Sequence, residues 1–327
     1  MNTSYIYSTS QVNTLSQYLL SHTDIERLLV AGAGNELEDA LKETYLAPFL
    51  THTDGNMPEA IEQTLIDAKK LIHRLAPKGD MFRPLWLQYD IHNLRIFAKA
   101  AAKGIGLPEC LAHCSRRGIY EPEYLFTHAQ DGTLNRLQSE WQTAYDEALR
   151  LVSAGEISAA DAVLDDTFFT MAVRIARRAQ DPFMVKYVKA VIDLFNLKAR
   201  LRTFVQGGGV PKAAFVSGGN FAEGELETKE QVLAAYRSLG SASHWDSAVE
   251  FFETTGNTTR LDARADEYLV TFAKTASIDM FSPASLVLYY LQCRQAAANV
   301  RTIFVGKNSG MNAEDIRANL RLAYVNA

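Results

Sequence analysis

The chain has 327 residues, 47% of them hydrophobic, 22% charged and 10% aromatic. Its 33 Lys and Arg against 38 Asp and Glu leave a formal charge of −5, which argues against a dedicated, high-pI nucleic-acid binder. A chain of this length buries roughly 75% of the surface its unfolded form exposes. Folding therefore requires neither disulfide nor metal, and the three scattered cysteines Cys110, Cys114 and Cys293 fit a reducing compartment.

At the N-terminus the first charged residue is Asp24, and no basic segment precedes an apolar one, so a secretory signal is not expected. The longest apolar runs, such as Leu286 to Leu291, fall far short of the ~20 residues that a spanning helix requires. The expectation is a soluble, cytoplasmic protein with no direct membrane insertion. Along the chain, apolar residues recur at spacings of three and four, the helical signature. Ile61, Leu65, Ala68, Ile72 and Leu75 mark one helix; Leu134, Leu137, Trp141, Tyr145, Ala148 and Leu151 predict another that stops at Gly155. A further segment opens at Asp166 and ends before Asp181 and Pro182. The β-rich run Val300 to Val305 continues a helical pattern that begins near Pro283. Pro58, Pro84, Pro182 and Pro283 stand where helices begin, positions at which a missing N–H is harmless. Gly104, Gly155 and Gly207 follow long periodic runs, as glycines past helix C-termini do. The predicted fold class is all-α.

Three segments repeat: LQYDIHNLRIFAKAAAKG, AVIDLFNLKARLRTFVQG and RQAAANVRTIFVGKNSG. Their asparagines, Asn93, Asn196 and Asn299, recur every 103 residues. Each is followed by an aliphatic residue and then a base (Arg95, Lys198, Arg301), and eleven positions on by a glycine (Gly104, Gly207, Gly310). In the first two copies an aspartate precedes the asparagine by three positions (Asp90, Asp193); the third has Ala296. Each copy reads as a long helix on which Asp and Asn are neighbours on one surface. Asn is an indifferent helix former, so its return implies a shared hydrogen-bonding task, because a buried amide without partners costs about 1–3 kcal/mol. It either ties its helix to a neighbour or lines a surface that a partner touches; the internal tie is favoured, since few side-chain hydrogen bonds leave the molecule except to water. Stepping the period back from the C-terminus predicts divisions at 1–121 (N-terminal helices plus the first repeat), 122–224 and 225–327. The breaks fall in linker-like stretches, RRGIYEPEY near Gly118 and VSGGNFAEGE around Gly218 and Gly219.

No reactive constellation emerges. Asp165–Asp166 has the look of an aspartate-rich magnesium–diphosphate motif, but Phe169 stands where a third acid is needed, and a helix-opening acidic pair explains it better. Cys110, His113 and Cys114 share a helical face without a further ligand pair for zinc. The glycine clusters lack the Lys-Ser/Thr of a phosphate loop, and nothing marks a nucleophile elbow. No catalytic residue, cofactor or metal is expected. Between Arg174 and Lys212 nine bases face only Asp181 and Asp193, a positive zone that reads first as a solvated face and second as a dock for an acidic partner.

The repeated helices, and above all SPASLVLYYLQCRQAAANVRTIFVGKNSGMNAEDIRANL, resemble the C subunits of V/A-type ATP synthases, a family that includes the d subunit of eukaryotic V-type ATPases. The first two copies resemble its D-x-x-N-L-K/R helices, and the likeness extends to the N-terminal LLVAGAGNELEDALKETYLAPFL. The resemblance implies three similar helical subdomains in a pseudo-threefold, funnel-like arrangement. It also implies a non-catalytic central-stalk rotor part, a socket that passes torque between the central shaft and the membrane rotor ring without nucleotide or metal. Under it, Asp90, Asn93, Arg95, Asp193, Asn196, Lys198, Asn299 and Arg301 are motif positions with a structural or partner-contact role. Ala296 departs from an acid that the family tends to carry. A helical repeat adaptor of some other complex is the alternative reading, because fold does not fix function.

Overall fold

The computed structural model describes residues 5–205 and 215–325. Among the described residues there are sixteen α-helices and no strand. In chain order they are α1 (Ile6–Ser16), α2 (His22–Val30), α3 (Asn35–Lys42), α4 (Ala47–His52), α5 (Met57–Leu75), α6 (Arg83–Ala101), α7 (Leu107–Leu111) and α8 (Pro122–Gln130). There follow α9 (Trp141–Ser153), α10 (Ile157–Ala179), α11 (Pro182–Val205), α12 (Lys229–Ser238), α13 (Ala242–Thr255), α14 (Thr259–Ala276), α15 (Ala284–Asn308) and α16 (Ala313–Ala318).

Local chemistry places many of these ends. Ser21 and Asp24 form a reciprocal capping box at the start of α2, and the side chains of Asn56 and Asn312 cap α5 and α16. Prolines sit in the first turn of α5 and α6, open α11 and cap α15. Past the helix ends Gly104, Gly155 and Gly310 take positive φ (69°, 84° and 72°), the region glycine enters without a Cβ penalty. Gly207 lies outside the described residues.

Three sequence readings need correction. The helix expected from Leu134 begins only at Trp141; Leu134–Arg136 is a short 3-10 turn whose first N–H is taken by the Gln142 side chain. Asp165–Asp166 does not open a helix, because α10 starts eight residues earlier at Ile157. Cys110 lies in α7, but that helix ends at Leu111, so His113 and Cys114 are beyond it and share no helical face with Cys110.

The chain divides into two compact units, Met1–Lys78 with Leu233–Ala327, and Gly79–Val232. In the first, α15 is central and packs against α1, α5 and α14. It is buried nearly all round, from Ala284 through Leu286, Val287, Tyr290 and Leu291 to Val300 and Ile303, as an interior helix must be. Lys307 near its end donates to the Leu29 carbonyl, and Arg317 of α16 pairs with Glu26 of α2. In the second unit α6 and α10 pack together and both meet α9, while α11 lies against α10. Trp141, fully buried, and the edge-on pair Phe97–Phe126, with centroids 5.0 Å apart, lie in its core.

Candidate functional site

The asparagine-bearing helices α6, α11 and α15 are interior helices, so a polar side chain on their buried faces has to find partners inside the protein. Asn93, Asn196 and Asn299 are each 1% exposed or less. Asn93 donates from Nδ2 to the Ser115 carbonyl at 2.9 Å and accepts from the Ser115 N–H at Oδ1, also at 2.9 Å. A primary amide has the same donor–acceptor pair as a peptide unit, so this side chain takes both backbone groups of one residue, as a neighbouring strand would.

The same two-bond clasp recurs in the other repeats. Asn196 donates to the Val216 carbonyl at 2.8 Å and accepts from its N–H at 2.9 Å. Asn299 donates to the Arg321 carbonyl at 2.7 Å and accepts from its N–H at 2.8 Å. The clasped residue lies 22, 20 and 22 positions after the asparagine.

Asp90 and Asp193 complete the first two clasps. The Asp90 carboxylate accepts from the Ile119 N–H (2.8 Å) and the Tyr120 N–H (3.1 Å). Asp193 accepts from the Asn220 N–H and its side-chain Nδ2, both at 2.7 Å, and from the Phe221 N–H at 3.3 Å. Burial pushes the Asp193 carboxyl above the usual range, and the hydrogen bonds from Asn220 and Phe221 oppose that shift. Just before these donors stand Gly118 and Gly219, each three residues past the clasped one. A Cβ at either would come well inside 3.0 Å of an aspartate Oδ1, so both positions need glycine to let the backbone reach the carboxylate. The stretches that read as linkers are thus pinned to the helices.

In the third repeat Ala296, fully buried, stands at the aspartate position, and Tyr324 stands three residues past the clasped Arg321, where the other copies have glycine. The Leu322 N–H instead donates to the buried Glu267 of α14 at 3.1 Å, and the Arg321 guanidinium pairs with Asp266 at 2.7 Å.

The three motif bases have different surroundings. Arg95 meets Asp161 at 3.0 Å and Asp165 at 2.6 Å, both on α10, and Lys99 adds a second contact to Asp161 at 3.0 Å. Burial pushes the Asp165 carboxyl above its usual range, and the Arg95 guanidinium works against that. Asp165 is therefore half of a helix–helix ion pair. Lys198 is half-buried, while Arg301 is exposed with no ion-pair partner among the described residues. In the positive zone Arg174 pairs with Glu140 and the buried Arg200 with Glu223 (2.8 Å), so it is partly neutralised; Lys212 lies outside the described residues.

Sequence reasoning missed the clasped residues Ser115, Val216 and Arg321, because they contribute only backbone and share no side-chain type. The available signal was the glycine three positions later in two of the copies. Among the described residues no group of three or more His, Cys, Asp or Glu could hold a metal, and no helix is long and apolar enough to cross a membrane. Burial pushes the Cys114 thiol up to about 11 and raises the Cys110 thiol as well, which leaves neither poised as a thiolate. The clasp amides hold backbone at both ends, and the aspartates accept mainly from backbone N–H groups, an arrangement suited to rigidity.

Comparison with known proteins identifies the family. The chain is 21% identical to the C subunit of the V-type sodium ATPase of Enterococcus hirae, in an alignment covering 94% of each chain. Residues 9–319 match the family described as ATP synthase (C/AC39) subunit. Since that match takes in all three clasped helices and nearly the whole sequence, the chain belongs to the ATP synthase (C/AC39) subunit family and is a non-catalytic stalk component of a V/A-type ATPase, with other ATPase subunits as its partners.

Proposed function

We propose that this stalk component is the socket of the central stalk, passing torque between the central shaft and the membrane-embedded rotor ring. Family membership over residues 9–319 carries the reading. The clasps support it in physical terms. A part that transmits torque must resist internal shear, and buried two-bond ties between a helix and the backbone that follows it stiffen each repeat with groups that have no cheaper arrangement.

In this reading the segments 1–121, 122–224 and 225–327 are three similar subdomains in a pseudo-threefold, funnel-like arrangement, open at one end to the shaft and resting on the ring at the other. The d subunit of eukaryotic V-type ATPases is its counterpart. The protein works on the cytoplasmic side and reaches the membrane through the ring. Asp90, Asn93, Arg95, Asp193, Asn196, Lys198 and Asn299 act as structural positions, whereas the exposed Arg301 is the motif position open to a partner.

Solubilising native membranes in mild detergent and recovering the chain by affinity tag should bring down shaft and ring subunits together. A covalent cross-link from this chain to the ring should leave ATP-driven turnover intact, because both would rotate as one. Recovery with a complex lacking rotary subunits refutes the proposal in favour of an adaptor. Arrest of turnover by the ring cross-link refutes the rotor assignment.

A further inference from the structure

The third clasp differs from the first two at two positions, which in those two lie against each other. Where Asp90 and Asp193 project from their helices, α15 has Ala296; where Gly118 and Gly219 let the backbone approach the carboxylate, the third segment has Tyr324. Tyr324 is 4% exposed, and its hydroxyl lies 3.5 Å from Asn299 Nδ2. Burial pushes its phenol well above the ordinary range; the Asn299 hydrogen bond lowers it and the Cys293 thiol raises it further. On an α-helix, positions three apart share a face, so Cys293, Ala296 and Asn299 lie along one side of α15. Loss of water around the Tyr45 phenol raises it as well, and the same thiol and phenol raise it further.

We infer that Ala296 and Tyr324 are a matched exchange: the phenol ring fills, above Ala296, the space that the aspartate carboxylates take in the other repeats, so segment 319–325 is held to α15 as a latch closed by an aromatic plug. An aspartate at 296 and a tyrosine at 324 would compete for one volume. Alanine at 296 with glycine at 324 would leave a void. Only the paired combinations, Asp with Gly or Ala with Tyr, fill the site.

A double-mutant cycle tests this in the full chain. Ala296→Asp alone should lower the melting temperature by several degrees and speed exchange of the Arg321 amide by roughly tenfold or more as the latch opens locally. Tyr324→Gly alone should do the same. The double variant should recover most of both losses. Losses that simply add overturn the inference. Tyr324→Phe, which keeps the plug and removes the hydroxyl, should retain most of the protection; a loss as large as that of Tyr324→Gly would show that the hydroxyl, and not the ring, closes the latch. The reverse exchange offers a test in the other unit: Asp90→Ala with Gly118→Tyr should melt higher than Gly118→Tyr alone, and the opposite order refutes the pairing.

Discussion

Replacing Asn196 by alanine isolates the contribution of one clasp. The substitution removes a side chain that is 1% exposed together with two hydrogen bonds of 2.8 and 2.9 Å, and it leaves the N–H and C=O of the buried Val216 without their partner. A buried backbone group left unsatisfied costs about 1–3 kcal/mol, so two of them set a loss of roughly 2–6 kcal/mol, reduced where water enters the vacated space. We expect a loss of about 3 kcal/mol, within that range. Because the chain forms two compact units, a single global unfolding energy is not well defined. The local measurement is native-state exchange of the Val216 amide, which should accelerate on the order of a hundredfold for that loss. Asn196→Asp sharpens the test. Its carboxylate still accepts from the Val216 N–H but cannot donate to the carbonyl, and as an ion it is buried three residues from Asp193. Protonation restores a donor, so this variant should be weakest at neutral pH and regain protection as pH falls. An unchanged Val216 exchange rate in Asn196→Ala, with a loss below about 0.5 kcal/mol, would refute the claim that the amide holds the segment.

Gly219→Ala drives a methyl into Asp193 Oδ1, and overpacking against so fixed a group should destabilise locally by about 1–3 kcal/mol, read as faster native-state exchange of the Asn220 amide. Ser115→Ala should leave the clasp closed, with exchange of the residue 115 amide changed by no more than about 1 kcal/mol, since Asn93 bonds the backbone of residue 115. Arg95→Met should show a pH signature. Because burial holds the Asp165 pKa above its unfolded value, the stability tied to that proton is full at low pH and is lost as pH rises through the folded pKa. Without Arg95 the pKa rises further, so unfolding at about pH 4 and about pH 7 should show the larger deficit at the higher pH. A constant deficit would mean that the pair contributes only through packing.

The all-α class and the positions of the long helices were legible because they follow from periodicity and punctuation: α5, α6, α11 and α15 begin at or beside Pro58, Pro84, Pro182 and Pro283. The asparagines were legible because a weak helix former returning at one period points to a polar task. Their partners were not, because hydrogen bonding through backbone leaves no mark on side-chain identity: serine, valine and arginine serve equally. RRGIYEPEY and VSGGNFAEGE read as linkers for the same reason, glycine marking a turn and a close approach alike. The start of α9 was misplaced because Leu134 is buried on the same apolar side as the helix it precedes, and periodicity cannot separate a 3-10 turn from the helix that follows. The Asp165–Arg95 pair joins residues 70 apart in sequence, a proximity created only by the packing of α6 on α10.

The span from asparagine to grasped residue shortens by two positions in the middle copy while the grip itself keeps its form. The grip therefore tolerates a change of two residues in what lies between. A short peptide tag or fluorophore attachment site spliced in beside the exposed Gly104 should be accommodated without disturbing the fold. That would provide a handle on the intact machine at a place where the copies themselves already differ in count.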